Sequence, residues 1–152
     1  MAIRASREVV IDAPPQAIID QIADVQSFPT WSPVHKRAEV IDTYPDGRPH
    51  HVKVTVKLMG ITDDEVLEYH WGPNWVVWDA DATAAQHGQH VEFTMRPEAG
   101  KTRLRLDITL EPKALVPDFV LKRPRENVLA TVAESLRQQV MANTGVDRAG
   151  NT

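Results

Sequence analysis

The 152-residue sequence contains no cysteine, 6% aromatic residues, seven glycines that stand singly, and no long run of like charge or of apolar residues. Each shortage excludes a class of function. Without thiols there is no disulfide framework, no cysteine nucleophile and no cysteine-ligated zinc or iron–sulfur centre. Without a glycine-rich loop there is no cradle for nucleotide phosphates. The serines (Ser6, Ser27, Ser32 and Ser135) stand in no strand–turn–helix elbow, so a Ser-His-Asp triad has no support. Lys and Arg total 17 against 21 Asp and Glu, and no basic run is long enough to track phosphates, which argues against a nucleic-acid partner. No apolar stretch approaches the ~18 residues of a membrane span, so stable membrane insertion is not expected. The opening MAIRASREVV alternates instead of forming a signal-peptide core, and a cytoplasmic location is the expectation.

What is present suits a globular chain: 42% hydrophobic and 25% charged residues, with a net charge of −4. Area scaling gives a folded surface near ~7,700 Å² against roughly 25,000 Å² unfolded, enough burial for a core without disulfides or metal. Ile3, Ala5, Val9 and Ile11 share one parity against Arg4, Ser6 and Glu8, which predicts a strand. A helix follows, with Asp12, Pro14 and Pro15 where a cap and first turn belong and with Ile18, Ile19, Ile22 and Ala23 at helical spacing. Phe28, Pro29, Trp31 and Pro33 end it and a short successor.

Between Val34 and Pro112 five or six strands are predicted and no helix. Val52, Val54, Val56 and Leu58 alternate with His51, Lys53, Thr55 and Lys57, before a turn at Gly60. Leu67, Tyr69 and Trp71, then Val76 and Trp78, then Val91, Phe93 and Met95, then Leu104, Leu106, Ile108 and Leu110 repeat that pattern, the last two groups joined at Ala99-Gly100. One apolar and one charged face describe an antiparallel sheet with one solvated side. The chain closes with an amphipathic helix from Pro117, whose apolar stripe holds Leu121, Val128, Leu129, Val132, Leu136 and Val140, with Pro124 placed to kink or divide it. Such elements bury their apolar faces together when the sheet curls around the last helix, and the space between is where a ligand binds.

The run VVIDAPPQAIIDQIADVQSFPTWSP, the ITDDEVLEYHW strand, the HVEFTMRPEAGKTRLRLDITLEP hairpin and the terminal helix resemble the START-like (SRPBCC) superfamily of polyketide cyclases/dehydrases, lipid-transfer and coenzyme Q-binding proteins. The likeness runs from about residue 3 to residue 142. It implies an α+β helix-grip fold: a curved seven-stranded antiparallel sheet wrapped around a long C-terminal helix, with two short helices after the first strand. Residues 1–145 would form one such domain, with 146–152 a frayed tail. The fold hosts carriers, enzymes and interaction modules alike, so it names no activity.

The expected ligand cavity is lined by Phe28, Trp31, Val54, Val56, Leu58, Leu67, Tyr69, Trp71, Trp78, Phe93, Met95, Leu104 and Leu106 from the sheet side, and by Leu121, Arg125, Val128, Leu129, Val132 and Leu136 from the helix. Tyr69, Trp71, Trp78 and Phe93 gather the scarce aromatics on one parity, and a Tyr hydroxyl or Trp N–H in an apolar space needs a partner that a carbonyl, quinone or head group can supply. Phe28 and Trp31 either plug the open end of the sheet or line the mouth of the cavity. Arg125, the one charged residue in the helix stripe, either snorkels to water or binds an acidic head group. Asp63 and Glu65 share the inward parity and form either a solvated hairpin end or an acid–base pair. The six histidines suggest no metal site: His50 and His51 are adjacent and so point to opposite sheet faces, and His87 and His90 fall in a turn-rich AQHGQH segment.

The sequence therefore points to binding or transport of a hydrophobic or amphiphilic small molecule, such as a lipid, a quinone or a polyketide-like aromatic, with no cofactor and no metal. A cyclase/dehydrase-type enzyme, with Tyr69, Arg125 or an acidic residue handling protons, is the alternative. A protein-interaction module with a filled cavity is a third reading, for which the mixed charge of the outer strand faces offers no patch.

Overall fold

The computed structural model describes residues 3–58, 61–83, 86–113 and 118–143; the side chains of Ile3, Leu58, Ile61, Pro112 and residues 118–128 lie outside the description. The turn expected at Gly60, the helix start at Pro117 and the tail after 145 also fall outside it. Seven strands follow the alternating segments: β1 (Ile3–Ile11), β2 (His35–Thr43), β3 (Pro49–Leu58), β4 (Ile61–Gly72), β5 (Trp75–Ala80), β6 (Gln86–Glu98) and β7 (Lys101–Pro112). They form one curved antiparallel sheet in the order β1-β7-β6-β5-β4-β3-β2.

Sequence neighbours β2 to β7 pair as a meander, whereas β1 and β2 form opposite edges. The chain must therefore cross the whole sheet between Ile11 and His35. It does so through α1 (Pro15–Ala23), a 3-10 turn (Val25–Ser27) and α2 (Phe28–Trp31). Asp12 does not cap α1 as expected. Pro14 takes the extended capping position, with Pro15 at the first turn, where the missing N–H costs nothing. The buried Thr102 hydroxyl instead ties this junction to β7, donating to the Ala13 carbonyl at 2.7 Å.

The 24-residue helix α3 (Asp118–Met141) runs through Pro124 as one assigned element, so the proline does not divide it. Leu129, Val132, Leu136 and Val140 pack into the same core as Ile11, Ile18, Ile19, Leu67, Tyr69, Phe93 and Leu104. The stripe that periodicity placed on α3 is thus the surface the sheet grips. Arg137 anchors the helix to β1 by donating from Nε to the Val10 carbonyl at 3.0 Å.

The outer face carries the charges. Glu98–Arg103 and Arg105–Asp107 pairs run along the β6–β7 hairpin. His90, expected in a turn, stands on β6 between Asp79 at 2.5 Å and Glu92 at 3.1 Å. Those two carboxylates raise its pKa, the Asp79 hydrogen bond first. The β6–β7 turn has Ala99 at φ 50° beside Gly100 at φ 84°. Two successive positive φ angles suit Asn-Gly, and a left-handed alanine costs about 1–2 kcal/mol. Ala99→Asn is expected to recover about 1 kcal/mol of that, read as a higher midpoint in urea at unchanged slope.

Candidate functional site

The concave face is built by inward parity. On β4, Asp63, Glu65, Leu67 and Tyr69 are buried in alternation, with exposed Thr62, Asp64, Val66 and His70 between or beyond them. Trp78, Val91, Phe93, Met95, Leu104 and Leu106 continue the surface across β5, β6 and β7, while Val54 and the half-buried Val56 extend it on β3. Trp71 is half-buried at the end of the row, held by its indole N–H donating to the Pro49 carbonyl at 2.7 Å. From the helix, Leu129, Val132 and Leu136 pack into the same core as this face. The expected lining residues Leu58, Leu121, Arg125 and Val128 lie outside the described side chains.

Six aromatic residues, Trp71, Tyr69, Trp78, Phe93, Phe28 and Trp31, form one contiguous cluster. Trp71 and Tyr69 lie 5.4 Å apart between centroids, Tyr69 and Trp78 4.9 Å, and Trp78 and Phe93 5.1 Å. Phe28 meets Trp78 edge-on at 5.7 Å and stacks on Trp31 at 4.8 Å and on His35 at 3.9 Å. Phe28 and Trp31 are both buried. Within this cluster the Tyr69 hydroxyl and the Trp31 and Trp78 indole N–H groups are buried and find no hydrogen-bond partner among the described residues. A buried orphan donor costs roughly 1–3 kcal/mol, and native proteins leave few of them. Burial alone pushes the Tyr69 phenol far above its ordinary range, so it is a neutral donor at any physiological pH.

Two polar groups that sequence reasoning passed over also face inward. His35, at the start of β2, is buried against Phe28 and has its Nδ1 2.6 Å from the Ser32 hydroxyl. Burial pushes its pKa down to about 3, which keeps the imidazole neutral. Gln86, at the start of β6, donates from its amide to Glu65 at 3.1 Å. Neither had a sequence signal: one follows a proline-rich turn and the other opens a segment read as loop.

Asp63 and Glu65 are not a solvated hairpin end. Both are buried; Asp63 accepts from the Thr83 hydroxyl at 2.7 Å and Glu65 from Gln86. Desolvation, then the hydrogen bond to Asp63 and its charge, lifts the Glu65 pKa to about 8. Glu65 is therefore a protonated acid at neutral pH on the face that carries the aromatic cluster.

His50 and His51 do not point to opposite faces: their rings lie 4.0 Å apart on the outer side. Asp42 pairs with His51 and Thr43 with Pro49, so His50 is an extra residue in a bulge of β3. A bulge breaks the two-residue period at the point where alternation was assumed. At the same end of the sheet an open groove of about 510 Å³ is lined by Tyr44, Pro45, Asp46, Arg48, His70, Trp71 and Trp75.

No functionally curated protein matches the sequence. Solved structures do match the fold. A START superfamily protein from Mycobacterium smegmatis has a TM-score of 0.80 at 22% identity, covering 90% of this chain and 96% of its own. The ZhuI aromatase/cyclase from Streptomyces sp. R1128 has a TM-score of 0.79 at 13% identity, covering 95% of this chain and 96% of its own. A di-domain aromatase/cyclase, StfQ of the steffimycin biosynthetic pathway, has a TM-score of 0.66 at 14% identity, covering 93% of this chain and 46% of its own. At these identities the likeness shows the helix-grip fold that the sequence resemblance implied. The profile of the family described as polyketide cyclase / dehydrase and lipid transport matches residues 2–144, and the chain belongs to that family.

Proposed function

We propose that the protein binds a hydrophobic or amphiphilic small molecule between the concave sheet face and α3, and that the ligand carries oxygen acceptors on an aromatic or otherwise flat apolar body. The observation that carries this reading is the set of three orphaned donors, Trp31 Nε1, Tyr69 OH and Trp78 Nε1, on one buried aromatic cluster. A carbonyl or phenolate oxygen placed against them would satisfy donors that have no partner among the described residues. Aromatic faces on either side would hold a flat ring system. A quinone or a polyketide-like aromatic suits this chemistry better than a saturated lipid chain, which offers acceptors only at its head group. Arg125 is the residue we propose for an acidic head group.

A second reading, a cyclase/dehydrase-type enzyme, draws support from Glu65. An acid with a pKa of about 8 beside Asp63 can donate a proton to a substrate carbonyl oxygen and take one back near neutral pH. ZhuI, named an aromatase/cyclase, shares the fold.

The binding reading is tested by native mass spectrometry of the protein purified from its own kind of cell, with identification of any molecule released on denaturation. A panel of quinones, hydroxyanthraquinones and fatty acids is then added to the emptied protein. A stoichiometric oxygen-bearing ligand, with a melting temperature that rises with its concentration, is the expected result. An empty mass together with no thermal shift from any panel member would overturn the proposal.

A further inference from the structure

We infer that the outer face of β2–β3 carries a site for a borderline divalent transition-metal ion, with Asp42, His50 and His51 as its protein ligands. One ligand atom from each of the three lies within 4.8 Å of the others. Four-coordinate zinc at its usual bond lengths separates its ligand atoms by ~3.3 Å, so small side-chain rotations suffice to close the set around an ion.

The bulge is what makes the arrangement. With His50 inserted as the extra residue, both imidazoles turn the same edges the same way. Their Nδ1 atoms face Asp42: His51 Nδ1 lies 2.9 Å from Oδ1, and His50 Nδ1 lies 3.8 Å from the same oxygen. Their Nε2 atoms face Glu68 Oε2, at 3.4 and 3.5 Å. Asp42, His51 and Glu68 form a cross-strand row over β2, β3 and β4, which fixes this order.

The two carboxylates then have different roles. A ligating histidine commonly presents its second ring N–H to a carboxylate, which fixes the tautomer and raises the basicity of the ligating nitrogen. Glu68 is placed to do this for both rings at once, leaving the Nδ1 lone pairs for the ion. Tyr44 packs on the far side of His50, with centroids 4.2 Å apart, and is itself anchored by its hydroxyl donating to the Tyr69 carbonyl at 2.6 Å. Both histidine side chains are about one-third exposed, held yet reachable from solvent. Two imidazoles and one carboxylate favour zinc, copper, nickel or cobalt over calcium or magnesium, and three protein ligands leave a position for water.

The test is titration of chelator-stripped protein near pH 7.5 with Zn²⁺, in competition with a chromophoric chelator, and with Co²⁺ read by its visible bands. One equivalent per chain is expected to bind. His50→Gln, His51→Gln and Asp42→Asn are each expected to weaken binding by about tenfold or more, Glu68→Gln by up to about tenfold, and His87→Gln not at all. Melting curves without metal check that each variant is folded. Absence of saturable binding, or binding that survives in folded His50→Gln and His51→Gln or falls equally in His87→Gln, would overturn the assignment.

Discussion

Replacing Glu65 with glutamine is expected to raise stability in alkaline solution by on the order of 5 kcal/mol while leaving it nearly unchanged at pH 4. The sign follows from linkage. The folded protein holds the Glu65 proton up to about pH 8, whereas the unfolded chain loses it near the model value of 4.5. Across that window the native state binds more protons, so the wild-type protein loses stability as pH rises from 4.5 through 8, by about 1.4 kcal/mol per unit, and then levels off. Glutamine removes the titration yet keeps the geometry. Its carbonyl still accepts from Gln86, and its amide donates to Asp63 as the protonated acid does. Urea unfolding of both proteins at half-unit steps from pH 4 to pH 9 measures the difference. Parallel profiles across the window would mean that Glu65 is ionised in the folded protein, and would remove it as a proton donor for the enzymatic reading.

Tyr69→Phe is expected to stabilise the free protein and weaken its ligand complex. Tyr69 is fully buried, its ring is held between Trp71 and Trp78, and its hydroxyl has no partner among the described residues. Deleting that hydroxyl keeps the stack and relieves part of the roughly 1–3 kcal/mol cost of an orphan donor. A net gain of about 1 kcal/mol corresponds to a melting temperature higher by ~2–4 °C at this chain length. Affinity for a hydroxyanthraquinone probe should fall about tenfold, the ~1.4 kcal/mol of one lost hydrogen bond. The two effects have opposite signs, which separates a group kept for binding from one that packs. A less stable Phe variant with undiminished affinity would make the hydroxyl part of the core and would count against the acceptor-bearing ligand.

The strands were legible because each has one buried and one wet face. Val52 and Val54, Val91 and Phe93, and Leu104 and Leu106 carry that contrast in their parity alone, and all are buried as expected. The α3 stripe was legible for the same reason at helical period, and Leu129, Val132, Leu136 and Val140 occupy the core. Reading failed where burial and chemistry depart from the average residue. Alternation leaves Asp63 and Glu65 open between a solvated hairpin end and an acid–base pair, because nothing local announces that Thr83 and Gln86 arrive from another hairpin to satisfy them. Strict alternation puts His50 and His51 on opposite faces because a period of two contains no bulge.

Local patterning by itself determined the strands, their inward residues and the apolar stripe of the terminal helix. These follow from the free energy of removing apolar surface from water, which each segment displays along its own length. The tertiary structure alone decided which polar groups meet: an acid whose pKa is lifted to about 8, three donors without acceptors among the described residues, and two neighbouring imidazoles turned toward one carboxylate. Hydrogen bonding and desolvation depend on groups brought together from distant parts of the chain, at separations of a few ångströms that no spacing along one strand encodes.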